Sequence, residues 1–267
     1  MKLRIASDLH SEFIRASNKH ALDNLVPALD GEQDMVLVLA GDIVAEISDW
    51  WGSESLDIYT PWLEELSYRH RAVIYVGGNH EGYQSNFKTA FDYMGCLAAT
   101  CENVHVLEND SVVVDGVKFL GTTKWTPLDG SHDAFYAKAM NDLRVIGQFN
   151  VFKWREAYQK ARYFLETELA KPHDGPVVVV THHLPSYQSV AEHFRGSTYN
   201  CCYFSMEDDL MMAHKPDVWF HGHTHDSSDY VLEDYDNQPC TRVVCNPFGY
   251  YGHDLNPDYD PFKVVEV

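Results

Sequence analysis

Met35-Val-Leu-Val-Leu-Ala-Gly-Asp42 is a run of apolar residues that stops at a Gly-Asp pair. A short apolar run with polar residues directly behind it predicts a β-strand, here Met35–Ala40. The same signal predicts further strands at Leu3–Ser7, Ala72–Val76, Val177–Thr181 and Val218–His221. The sequence therefore predicts a sheet whose strands each end at polar side chains.

Helical patterns lie between these strands. Phe152–Ala170 has the clearest pattern, because Trp154, Ala161 and Leu165 belong to an apolar stripe with a 3.6-residue period. The other predicted long helices are Leu56–His70 and Phe87–Ala99. Ser205-Met-Glu-Asp208 resembles a capping box and predicts the start of a short helix.

Antiparallel strands are predicted around an Asp-Gly turn and towards the end of the chain. Asp115-Gly116 is a hairpin signal between Val112–Asp115 and Val117–Gly121. Further predicted strands are Tyr230–Glu233, Arg242–Cys245 and Phe262–Val267. This alternation followed by a strand-rich end predicts a mixed two-sheet α/β fold. Since no repeat or linker interrupts the chain, we expect residues 1–267 to form a single domain.

The net charge of the chain is −20, from 20 Lys and Arg against 40 Asp and Glu. This excess of acid disfavours a nucleic-acid partner, because such a surface needs clustered basic side chains. No basic run that would bind an anionic membrane is present, and no segment approaches the ~20 apolar residues of a membrane helix. The beginning of the chain lacks a secretory signal pattern, and the six cysteines form no C-x-x-C pair. We therefore expect a cytoplasmic protein with reduced thiols.

Potential metal ligands follow each of the five strands first described. They are found in Asp8-Leu9-His10, Gly41-Asp42, Gly78-Asn79-His80-Glu81, Thr181-His182-His183 and Gly222-His223-Thr224-His225. One such group on its own is commonly a polar turn. Because open α/β sheets bind ligands beyond the carboxyl ends of their strands, the five groups can meet at one site. Five of them in series are hard to explain by packing.

This order of motifs resembles the calcineurin-like metallophosphoesterase superfamily, whose pattern is D-x-H, G-D, G-N-H-[D/E], a separate His and G-H-x-H. Every element of that pattern is present between Asp8 and His225. The resemblance implies a four-layer αββα sandwich of two mixed β-sheets, with metals at the rim of the sheets. The Thr-His-His-Leu-Pro segment around His182 is similar to bacterial members.

The resemblance also implies a pair of metal ions. One ion is assigned to Asp8, His10, Asp42 and His225, and the other to Asp42, Asn79, His182 and His223. Asp42 would bridge the ions, since two cations ~3.5–4 Å apart repel each other unless a carboxylate and a hydroxide are shared. Mixed imidazole, carboxylate and carboxamide ligands favour Mn, Fe, Zn or Co over Mg or Ca.

The catalytic expectations concern Asp42 and His80. In the superfamily a hydroxide that bridges the ions attacks phosphorus in line, and the ions neutralise the phosphoryl oxygens. The residue at the position of His80 faces the substrate and is not a ligand. We assign His80 transition-state stabilisation or proton donation to the leaving oxygen. Glu81 either orients His80 or is an exposed acid of the turn.

A small phosphorylated substrate fits the charge balance. Two divalent ions, two aspartates and a hydroxide leave about one positive charge at the site, and distant surface acids are screened beyond ~8 Å. A long polyanion would also meet those acids. The loop Pro185–Phe204 follows His182 and is a candidate rim or lid. Candidate substrate contacts are Arg195, His183 and Arg144.

We therefore expect a metal-dependent hydrolase of small phosphate monoesters or phosphodiesters. A nuclease with the same metals is the alternative, but it needs a basic groove that the composition disfavours. A non-catalytic scaffold of the same fold is a weaker alternative, because the ligand motifs and His80 are all present. The motifs leave open the substrate, the choice between monoester and diester, the native metal and the oligomeric state.

Overall fold

Two mixed β-sheets pack face to face at the centre of the computed structural model, which describes residues 1–14, 18–45 and 54–267. The strands of the described chain are β1 (Lys2–Ala6), β2 (Met35–Ala40), β3 (Ala72–Val76), β4 (Val104–Val106), β5 (Asp110–Val114), β6 (Val117–Thr122), β7 (Val177–Thr181), β8 (Val218–His221), β9 (Ser228–Glu233), β10 (Pro239–Cys245), β11 (Gly249–Tyr250), β12 (Asp254–Leu255) and β13 (Val264–Glu266). The α-helices are α1 (Lys19–Asp23), α2 (Glu54–Arg69), α3 (Phe87–Thr100), α4 (Asp133–Ala139), α5 (Asp142–Val145), α6 (Val151–Leu169) and α7 (Asp208–His214).

The first sheet has the strand order β13-β1-β2-β3-β4, and the second has the order β5-β6-β7-β8-β10-β9. Strands β1 to β4 run parallel, and β13 lies antiparallel to β1. In the second sheet β6, β7, β8 and β10 run parallel, whereas β5 and β9 are antiparallel to their neighbours. The carboxyl ends of the parallel strands in each sheet therefore lie together at one edge.

Strand β2 shows why the decisive apolar run has no polar positions. Val36 and Val38 pack between the two sheets, in the same cluster as Phe119 of the second sheet. Leu37 and Leu39 point the opposite way, into the cluster that contains the outer helices. A strand buried on both faces is apolar throughout, and each fully buried Val or Leu side chain contributes about 1.5–3 kcal/mol.

Helices cover the outer face of each sheet. Trp62 and Leu66 of α2 pack on the first sheet together with Leu37. Leu165 of α6 and Met211 of α7 pack on the second sheet. The order of layers is helix, sheet, sheet and helix, so the predicted four-layer αββα sandwich of two mixed β-sheets is confirmed.

The predicted elements agree with the structure to within a few residues at their ends. The sequence did not predict β4, β11 or β12, which are too short to show a pattern. The capping box is wrong, because α7 begins at Asp208 without a side-chain cap and the Ser205 hydroxyl instead contacts the buried amine of Lys124. Among the described helices, none has both the length and the hydropathy needed to cross a membrane.

Candidate metal centre

The predicted ligands come together beyond the carboxyl ends of β1, β2, β3, β7 and β8. One group consists of Asp8, His10 and His225, and a second consists of Asp42, His182 and His223. Within each group the candidate ligand atoms lie within 4.8 Å of one another. His10, Asp42 and His80 form a further group of this kind, which connects the first two. The fold therefore gathers side chains from five separate loops into one centre.

The backbone at several of these positions is in the left-handed region. The φ angle is 51° at Asp8, 43° at His10, 54° at Asp42 and 67° at His223. Such a conformation costs a non-glycine residue on the order of 1–3 kcal/mol and persists where the surroundings fix it. Here both carboxylate oxygens of Asp8 accept the backbone N–H of His223, at 2.9 and 3.1 Å, which ties two of these residues together.

Glycines let the ligand side chains lie directly on the backbone. A Cβ at Gly41 would lie 2.3 Å from Nδ1 of His182, and one at Gly78 would lie 2.2 Å from Oδ1 of Asp42. Both distances are far below van der Waals contact. The glycines in the Gly-Asp and Gly-Asn-His motifs are therefore required by the packing of the ligands.

The His182 ring has a fixed orientation. Its Nδ1 donates to the carbonyl of Ala40 at 3.0 Å, so its Nε2 faces Oδ1 of Asn79 at 3.0 Å and Oδ2 of Asp42 at 3.3 Å. The Asn79 amide is oriented in turn, because its Nδ2 donates to the carboxylate of Asp142 at 2.8 Å. An imidazole lone pair and two oxygens thus converge, and a cation would bind all three.

Two other imidazole nitrogens support the same interpretation. Nε2 of His10 and Nε2 of His223 are buried, and the described part of the chain offers neither of them a hydrogen-bond partner. His10 Nδ1 lies 3.0 Å from a carboxylate oxygen of Glu12, so Nδ1 carries the proton and Nε2 is free to accept. Buried polar atoms without partners are costly. These nitrogens and the carboxylates fit divalent transition-metal cations.

The two aspartates differ in their electrostatic environment. Burial raises the pKa of Asp8 to about 6. Burial also acts to raise the pKa of Asp42, but His182 and His80 outweigh it and hold that pKa well below its usual range. Asp42 therefore stays ionised beside the imidazole rings that surround it.

His80 lies at the boundary between the ligand groups and solvent. Its ring stacks on Tyr83 with 4.0 Å between ring centroids, and its Nε2 is 3.4 Å from the Tyr250 hydroxyl. Its Nδ1 is 3.6 Å from a carboxylate oxygen of Glu12. Burial lowers the pKa of His80, but Asp42 and Glu12 outweigh that effect and raise it to about 9. The ring is therefore positioned to hold a proton beside the centre.

A cavity of about 750 Å³ opens in front of Asp42, His80 and His225. Its other walls come from residues within 139–142, 190–203 and 250–257. This volume is typical of pockets that bury a small organic ligand. The ligands therefore lie at the base of a pocket large enough for a substrate with a sizeable organic group.

The segment 185–204, here called the lid loop, is closed at its neck. A β-bridge pairs Leu184 with Phe204, and the backbone N–H of Ser205 donates to the carbonyl of Leu184 at 3.0 Å. Between these points the loop contains short 3-10 turns at Tyr187–Ser189, Glu192–Phe194 and Asn200–Cys202. The predicted rim is thus a compact loop whose far end lines the cavity.

The three predicted substrate contacts are not among the residues that line this cavity. Arg195 is exposed and donates through Nε to the carbonyl of Val190, and Arg144 is exposed and bonds to Asn141. His183 is fully buried, with its ring 4.2 Å from that of His223. None of the three lines the cavity, so contact with substrate at Arg195, Arg144 and His183 has no support in this arrangement. His183 instead packs behind a candidate ligand.

Three acids support the centre through contacts that the sequence did not predict. Glu12 faces His10, Asp142 orients Asn79, and Glu81 is fully buried. Glu81 accepts from the backbone N–H groups of Asp42 and Ile43, so neither expected role of this residue is correct. Its position in the Gly-Asn-His-Glu motif was a usable signal, whereas nothing in the sequence singles out Asp142.

Comparison with known proteins agrees with this geometry. The family model described as calcineurin-like phosphoesterase matches residues 1–227. An uncharacterized protein, L509 of Acanthamoeba polyphaga mimivirus, is 25% identical, over 99% of this chain and 96% of its own length. Phosphopantetheinyl hydrolase (PptH) from Mycobacterium tuberculosis has a similar structure, with a TM-score of 0.69, 17% identity and coverage of 93% of this chain and 89% of that chain. TT1561 of Thermus thermophilus has a TM-score of 0.52 at 14% identity, covering 92% of this chain and 88% of that chain.

Proposed function

The chain belongs to the calcineurin-like phosphoesterase family and is a metal-dependent hydrolase of phosphate esters; we propose that it acts on small phosphate monoesters or phosphodiesters with a pair of divalent cations. One observation carries the proposal of a pair. Oδ2 of Asp42 lies 3.8 Å from Nε2 of His10 and 3.3 Å from Nε2 of His182, so a single carboxylate oxygen faces both ligand groups.

One cation would be held by Asp8, His10, Asp42 and His225, and the other by Asp42, Asn79, His182 and His223. Bound there, they would lower the pKa of a water molecule and neutralise charge on the phosphoryl oxygens. The mixture of imidazole, carboxylate and amide donors favours Mn, Fe, Zn or Co.

The residues around the centre supply orientation and a proton. Glu12 attracts Nδ1 of His80, while Nε2 of the same ring borders the cavity near Tyr250. A protonated His80 can therefore donate to the oxygen of the leaving alcohol. Asp142 fixes the amide of Asn79, so the ligand oxygen of Asn79 is in place before a cation binds.

The rival functions fit less well. A nuclease would need basic side chains along the path of a polyanion, and neither Arg144 nor Arg195 reaches the cavity. A scaffold would have no use for orphaned imidazole nitrogens at His10 and His223.

A single domain of residues 1–267 is supported by the pairing of β13, near the end of the chain, with β1 at its beginning.

A substrate panel with Mn²⁺ present tests the proposal. It compares a nitrophenyl monoester, its bis-ester, cyclic nucleotides, a phosphopantetheinyl ester and single-stranded DNA. The phosphopantetheinyl ester is included because PptH, the structural relative, is named as a phosphopantetheinyl hydrolase. We expect the small esters to be the best substrates and about two metal ions per chain by elemental analysis. DNA as the best substrate, or a single bound ion, would count against the proposal.

A further inference from the structure

The charged side chains in the cavity beside the metal centre are mainly acidic. Among the described residues that line it, none is a lysine or an arginine. The acids Asp142, Asp226 and Asp254 all line it. Sites that accept several phosphate or carboxylate groups place fixed cations around them, and this lining has no such lysine or arginine. A substrate here would find positive charge at the metal centre and negative charge beyond it.

The three acids are not equivalent. Asp142 is buried and accepts from Asn79, so it belongs to the support of the centre. Asp226 has a side chain that is 38% exposed and lies 3.7 Å from Nε2 of His193. Asp254 is exposed on the short strand β12. The negative charges of Asp226 and Asp254 therefore act on any group bound in the outer part of the cavity.

The remaining lining is rich in aromatic side chains. Phe194 and Tyr199 of the lid loop are 51% and 45% exposed, although both line the cavity. Tyr203 stacks on the His223 ring at 5.0 Å between ring centroids, which places an aromatic face next to a candidate ligand. Aromatic surface of this kind is stabilised when an organic group covers it.

From this lining we infer the class of substrate: an ester with a single phosphate whose organic group is bulky, partly apolar or aromatic, and free of negative charge. The inference rests on the proposed function, since it places the phosphate at the metal centre. Esters that carry a second phosphate or a carboxylate are disfavoured, because their extra charge meets Asp226 and Asp254 and no lysine or arginine among the described lining residues offsets it.

The test is a series of aryl phosphates that differ at the para position only: 4-(aminomethyl)phenyl, 4-(hydroxymethyl)phenyl and 4-carboxyphenyl phosphate. The Mn²⁺-reconstituted enzyme is assayed for phosphate release, with 4-nitrophenyl phosphate and its bis-ester as reference substrates. Each aryl group is also presented as its methyl diester, so that the result holds for either class of ester. We expect kcat/KM for the amine and the alcohol to exceed that for the carboxylate by roughly tenfold.

Variants separate the cavity charge from the intrinsic reactivity of the esters. Asp226→Asn and Asp254→Asn should each reduce the preference for the amine over the carboxylate about threefold. Asp30→Asn makes the same change at an exposed position that is not part of the cavity lining and should leave the ratio unaltered.

The outcomes are distinguishable. If the reference esters are hydrolysed but the carboxylate ester is cleaved as well as the others, the inferred substrate class is wrong and the proposed function stands. The inferred substrate class is also wrong if Asp226→Asn and Asp254→Asn, like Asp30→Asn, leave the preference for the amine ester over the carboxylate ester unchanged. If neither reference ester nor any aryl ester is hydrolysed, the proposed function itself is wrong.

Discussion

The carboxylate of Glu81 accepts a hydrogen bond from the backbone N–H of Asp42 at 3.1 Å, which ties the loop after β3 directly to the loop after β2. The same carboxylate accepts from the N–H groups of Ile43 at 2.8 Å and Gly78 at 2.6 Å. These amides are buried, so the acid holds two ligand-bearing loops in one arrangement.

Glu81→Ala should therefore destabilise the protein and the metal centre together. Three buried N–H groups would lose their partner, at about 1–3 kcal/mol each in the worst case, and we expect the Tm to fall by roughly 10 °C. Calorimetry and elemental analysis would measure the two effects. Glu102→Ala, at an exposed position, is the matched control. A fully stable Glu81→Ala protein would show that the loops keep their geometry without this acid.

His80→Ala should lower kcat by about 10²–10⁴-fold, the usual contribution of general acid catalysis. The bound metal should remain close to the wild-type level, because His80 borders the cavity and is assigned no cation. Turnover of an alkyl phosphate, whose leaving alcohol needs a proton, and elemental analysis on the same sample make the comparison. Loss of metal in this variant would mean that His80 is a ligand.

Asp42→Asn should reduce the metal content at both sites, since its Oδ2 faces His10 and His182 alike. Asp8→Asn should affect one site only, because Asp8 belongs to one ligand group. Metal titration followed by dialysis would give the number of ions retained by each protein. Equal losses in the two variants would argue against a bridging carboxylate.

Glu12→Gln should lower kcat about tenfold and leave KM nearly unchanged. The substitution keeps the size of the side chain but removes the charge beside Nδ1 of His10 and His80. Because the carboxylate raises the pKa of His80, the acidic form of His80 should also be lost at a lower pH in the variant. The pH profile of kcat is the decisive measurement, since a purely structural role would leave its position unchanged.

His70 predicts a pH dependence of stability away from the metal centre. Burial lowers its pKa to about 4 in the folded protein, against 6.5 for the unfolded chain. Between these values the unfolded chain binds the proton and the folded chain does not, so the free energy of unfolding should fall as the pH drops from 6.5 to 4. The full effect is about 3 kcal/mol.

The measurement is urea unfolding of wild type and His70→Gln at several pH values with a chelator present. The glutamine retains an N–H that can donate to the carbonyl of Leu66, the partner of Nδ1 at 2.9 Å. The difference between the two proteins should settle to a constant above pH 6.5. A difference that does not change with pH would show that folding leaves the pKa of His70 unshifted.

Much of the centre was predictable because its ligands follow strands directly. Asp42 and His182 come immediately after runs that the strand pattern identifies, and parallel strands bring their ends together. The supporting acids were not predictable in this way. Asp142 acts on Asn79 across 63 residues of sequence, and the contact depends on how a helix packs beside the sheet. Arg195 lies in the predicted loop, but its Nε donates to the carbonyl of Val190 and its side chain does not line the cavity.

The closed neck of the lid loop has an evolutionary consequence. Leu184 and Phe204 hold the two ends of the segment together just beyond His182. An insertion or deletion near Gly196 would therefore alter the wall of the pocket without displacing the ligand. In descendants of this chain, the substrate range can diverge by changes of loop length while the hydrolytic machinery is inherited intact.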